Sequence, residues 1–120
     1  MMDGMKEKAH ELGRLLGQSD EFKALSRARQ RLTDDAEAVA AMNRLDGLEG
    51  EISRALQSGQ EPGDEQKEEY ERLFVQLQSS SVYQGLVAAQ SNFDKLVTKM
   101  NEEISRGMEA GAQSRIILPS

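Results

Sequence analysis

From Val82 to Met108 the chain places apolar side chains at Val82, Leu86, Ala89, Phe93, Leu96, Met100 and Ile104. Steps of four and three residues in alternation join into one continuous stripe on an α-helix, and no strand accommodates them. Such a helix is about 40 Å long, more than the width of an ordinary globule made from 120 residues. Its stripe therefore asks for cover from long neighbouring helices and from a second chain.

Composition narrows what those neighbours are. Aromatic residues make up 4% of the chain and Trp is absent, so the core is built from Leu, Val, Ile, Met and Ala. No stretch alternates as a strand does, which makes the expected fold all-α, with about five helices in an elongated antiparallel hairpin or bundle closed by the long C-terminal helix. Fifteen Lys and Arg against 21 Asp and Glu leave a net charge of −6, which on average repels nucleic acid and acidic membranes. With no Cys, disulfides, thiolate metal sites and Cys nucleophiles are all excluded. No apolar run approaches the ~20 residues that span a bilayer, and a cytoplasmic protein without membrane contact is expected.

Taken in order, the first helix is expected from Met5 to Leu16, capped by Asp3, with Met5, Ala9, Leu12 and Leu16 on one face. Ser19 then caps a second helix whose buried side is Phe22, Leu25, Ala28 and Leu32. Thr33 to Asp35 break the chain, and a third helix carries Val39, Met42, Leu45, Leu48, Ile52 and Leu56 to an end near Ser58 and Gly59. Gly47 and Gly50 lie inside it and mark either a close helix approach or a weak segment. The turn from Gly59 to Gly63 reverses the chain into a fourth helix with Tyr70, Leu73, Phe74 and Leu77 on its apolar side, and Ser79 to Ser81 cap the long helix. Residues 1–110 form one helical domain, and 111–120 are expected to be a flexible tail.

The spelling F-x-x-L-V-x-x-M-N-x-x-I at Phe93, Leu96, Val97, Met100, Asn101 and Ile104 resembles the last helix of the YlbF/YmcA family of small bacterial helical regulators. The front half is similar as well, from Leu12, Gly13, Leu16, Ser19, Phe22 and Lys23 through Ala28, Leu32 and Asp35, as is the acidic turn from Gly59 to Gln66. The resemblance implies an all-helical, self-associating cytoplasmic protein without enzymatic activity. It also implies partners among related regulatory proteins, with influence on competence, sporulation and biofilm formation by way of ribonuclease Y and messenger RNA processing. Two departures limit the carry-over. Relatives associated with iron-sulfur clusters hold them through Cys, which this chain lacks, so no cofactor is expected. Ser80 and Ser81 stand where the family has Asn-Pro before its last helix.

The residues expected to form an assembly interface, with a homodimer favoured, are Phe22, Leu25, Phe93, Leu96, Val97, Met100 and Ile104. Lys23, Arg27 and Arg31 recur every four residues, with Arg29 nearby, as the one concentrated basic stripe in an acidic chain. Its ordinary explanation is pairing with Glu49 or Glu51 or with a dimer mate; its functional alternative is docking of an acidic protein or RNA. Aromatic residues are not interleaved with it, so direct binding of nucleic acid is not expected.

Glu7 and His10 have the spacing of one half of a di-iron ligand set, but His10 is the single His, and no metal site is expected. The acidic residues Glu61, Asp64, Glu65, Glu68, Glu69 and Glu71 are explained by solvation and by the start of a helix. No nucleophile triad or phosphate-cradling loop can be assembled, and no enzyme is expected. Ile116, Ile117 and Leu118 are read either as a disordered end or as a plug for a groove on a partner.

Overall fold

A computed structural model describes residues 2–117, with side chains through residue 113. It contains α1 (Met2–Gly17), α2 (Asp20–Asp34), α3 (Ala36–Gln57), α4 (Asp64–Gln78) and α5 (Ser81–Ile117). Each boundary has a local cause. Ser19 Oγ accepts from the Phe22 N–H at 3.1 Å, and the Asp35 carboxylate accepts from the Ala38 N–H at 3.0 Å, so both caps satisfy a donor the helix itself leaves open. Gly63 has no side chain to cap with; Gln66 reaches back instead and accepts from the Gly63 N–H at 3.1 Å.

The third helix ends in a left-handed residue, Gly59, with φ of +77°. There the Gln60 N–H donates to the Ala55 carbonyl and the Gly59 N–H to the Leu56 carbonyl, which closes the helix and turns the chain. Ser80 Oγ accepts from the Tyr83 N–H at 3.3 Å at the start of α5. Asp3 lies in the first turn of α1 instead of capping it. The long helix continues to Ile117, beyond the start expected for the tail, because Ala110, Ala112 and Gln113 all favour helix and the next proline is Pro119. Of the hydrophobic trio near the end, Ile116 and Ile117 have side chains outside the described set and Leu118 lies outside the described residues.

Two packing units meet at a corner. The first pairs α2 with the front of α5, antiparallel: Phe22 stands edge-on to Phe93 with ring centroids 5.5 Å apart, and Leu25 and Ala28 pack on Ala89. In the second, α3 and α4 form a hairpin whose interior holds Ala38, Ala41, Leu45 and Leu77, joined by Leu32 from the end of α2. Leu86 touches both clusters. Alanines at 28, 38, 41 and 89 keep the helices close, and Leu25 and Leu48 are wholly enclosed.

The main cover of the long helix is thus α2 and not its neighbour in sequence, α4. On α4, Leu77, Tyr70 and Leu73 turn toward the hairpin interior with α3, whereas Phe74, expected on the same apolar side, is 46% exposed. The Arg44 guanidinium ties the same two helices from outside, 2.7 Å from Glu69 and 3.7 Å from Glu51. The molecule is elongated, 72 × 38 × 22 Å, with a radius of gyration of 21.9 Å where a compact chain of this length gives about 14 Å.

Candidate assembly interface

Among the described residues, large apolar side chains are exposed singly at Leu56, Phe74, Val75 and Val87, and two longer surfaces carry the rest. The first is the distal half of α5, where every described residue from 101 to 113 is exposed. Its apolar stripe continues from the sheltered part through half-buried Leu96, Val97 and Met100 to Ile104, 49% exposed, and Met108, 66% exposed. The second is α1, which has no buried residue and presents Met2, Met5 and Leu15 to solvent beside half-buried Leu12 and Leu16. These two surfaces do not pack along one another within the chain.

The seven residues expected at an interface divide accordingly. Leu25 is enclosed, and Phe22 and Phe93 are spent on each other across the α2/α5 contact. Leu96, Val97 and Met100 are half-buried and Ile104 is exposed. The sequence places Met5 on the apolar face of α1 but does not single out Met2 and Leu15, both exposed.

The basic stripe is also open. Lys23, Arg27 and Arg31 are exposed and make no ion pair among the described residues, while Arg29 lies on another side of α2 and donates to Gln90 at 3.4 Å. Glu49 and Glu51 do not face α2. Glu49 accepts from the Tyr70 hydroxyl at 3.1 Å, and Glu51 faces Gln66 and Arg44. These links stitch the α3/α4 hairpin: Arg44 holds the Glu69 carboxyl below its ordinary value and is itself raised by it, and the Glu49 carboxylate raises Tyr70.

An open groove of about 870 Å³ is lined by Met42 of α3 and, from α5, by apolar Tyr83, Leu86 and Val87 together with charged Asp94, Lys95, Lys99 and Glu102. Glu7 and His10 are exposed on α1, and no group of three His, Asp or Glu stands together to hold a metal among the described residues. No described helix is long and apolar enough to cross a membrane.

The comparisons with known proteins agree in extent. A family model described as control of competence regulator ComK, YlbF/YmcA, matches residues 5–109. A UPF0342 protein of Lactobacillus acidophilus is 27% identical over 105 residues, 88% of this chain and 90% of its own length. Another from Oenococcus oeni is 28% identical over 99 residues, 82% of this chain and 87% of its own, and one from Lactobacillus helveticus is 25% identical over 114 residues, 89% and 98%.

Proposed function

Because the chain belongs to the YlbF/YmcA family, described by its control of the competence regulator ComK, we propose that it is a non-enzymatic regulatory adaptor that works by binding itself and other proteins through long amphipathic helices. The family's description supports a regulatory role. The observation that carries the rest is the apolar stripe on α5 past Phe93, half-buried at Leu96, Val97 and Met100 and exposed at Ile104 and Met108, a helix surface of the kind soluble monomers bury. A homodimer in the cytoplasm is the form proposed, joined by further regulatory proteins and acting on developmental regulation or RNA processing. Light scattering on the purified chain at micromolar concentration is expected to return twice the chain mass; a strict monomer overturns self-association.

A second reading is favoured by the unpaired Lys23, Arg27 and Arg31 on α2: an RNA-associated module that uses this stripe. It expects a mobility shift with RNA that weakens steeply with salt and disappears in the Arg27→Glu, Arg31→Glu double variant. Absence of a shift at low salt removes it.

A further inference from the structure

We propose that a second copy of this chain lays its α1 antiparallel along the uncovered half of α5, and that the exchange is reciprocal about a two-fold axis. This inference rests on the self-association proposed above and specifies the surfaces used.

The two surfaces match in length and position. The 16 residues of α1 span about 24 Å, and residues 97–113 of α5 span about 25 Å. Both leave the α2/α5 pair at the same end, because Phe22 near the start of α2 faces Phe93, beyond which α5 passes through half-buried Leu96, Val97 and Met100 to residues that are all exposed from 101 on. Each carries apolar residues that are exposed or only half-buried, and the two do not pack along one another inside one molecule. A two-fold operation that brings one pair together necessarily brings the other, so both surfaces are covered at once.

The register is fixed by side-chain chemistry. With Leu12 opposite Met100, the antiparallel pairing sets Leu16 against Val97, Ala9 against Ile104 and Met5 against Met108, so the two stripes close on one another. One flank then reads as a ladder. Leu15 meets Leu96, Glu11 meets Lys99, and Lys8 meets Glu103, each charge facing its opposite. The flank ends with Gly4 against Gly107, and at both glycines a Cβ would meet nothing within 4 Å, so bare backbone is available for close approach. Glu11 and Glu103 already pair within their own helices, with Arg14 and Arg106, but those partners are exposed and readily shared.

The chain's own α1 does not pack along α5. The chain breaks at Gln18 and Ser19, after the last residue of α1, and Ser19 caps the next helix, so the place is left to the copy.

The absence of cysteine makes the test direct. Full-length Leu12→Cys and Met100→Cys chains, co-expressed and treated with a short bismaleimide, are expected to give a band at twice the 13.3 kDa chain mass that neither variant gives alone. Leu15→Cys with Leu96→Cys serves as a second pair should either core variant lose helicity by circular dichroism. A band from one variant alone and not from the mixture overturns the arrangement. So does a single chain carrying both cysteines that closes only on itself and runs as a monomer. No cross-link in a sample that scatters as a dimer also overturns it while self-association stands; a monomer by scattering overturns both. Lys8→Glu is expected to raise the dimer dissociation constant about fivefold, and Glu103→Lys in the same chain to restore it. Failure of that rescue overturns the register.

Discussion

Gly47 sits on the exposed side of α3 with nothing within 4 Å of where a Cβ would be, so it serves no close helix approach. Of the two readings open from sequence, a weak helical segment is the one that remains. Gly47→Ala is expected to stabilise the fold by about 1 kcal/mol, measured by urea denaturation. Gly59 behaves in the opposite way. Its φ of +77° places any Cβ against the following carbonyl, and Gly59→Ala is expected to lower stability by about 1 kcal/mol in the same experiment. Leu48 is completely enclosed, and Leu48→Ala is expected to remove roughly 2–5 kcal/mol. Sequence could mark both glycines as unusual. It could not say what faces them, because that depends on which helix is placed next to α3.

Helix ends were legible because capping is local: Ser19 with Phe22, and Asp35 with Ala38, are three residues apart in the chain. Which helix covers which was not. The stripes of α2, α4 and α5 are similar in period, and only the assembled fold shows Tyr70, Leu73 and Leu77 of α4 turned toward α3 while α2 takes the long helix. The polar links across the hairpin were missed for the same reason, since Arg44 and Glu69 are far apart in sequence. They have a pH signature. Arg44 keeps the Glu69 carboxyl below its ordinary value, so the folded state binds that proton less tightly than the unfolded chain does. The resulting stabilisation is present above the usual carboxylate pKa of about 4.3 and is lost as pH falls through the lower folded value. The melting temperature of Glu69→Gln is therefore expected to lie below that of the parent at neutral pH, and the gap to close in acid.

Across the whole molecule, nine residues among those described form the buried core, none of them in α1 and none on α5 past Ala89. The all-helical, elongated outline was readable from the stripe on α5 and the scarcity of aromatic residues, as was the stretch of that helix left over. The share of the candidate surface that α2 uses up, at Phe22, Leu25 and Phe93, was not readable, because an apolar residue carries no mark of whether its cover comes from the same chain. Small-angle scattering on a dilute sample that has dissociated is expected to give a radius of gyration near 21.9 Å. The 22 Å thickness of the molecule has a thermodynamic consequence. A body only about two helices thick gives up little buried surface on melting, so a lone chain should unfold gradually, with a shallow urea slope for its length. In the proposed dimer, added concentration should sharpen and raise that transition, so that the abundance of the protein in the cell would set how firmly each copy holds its shape.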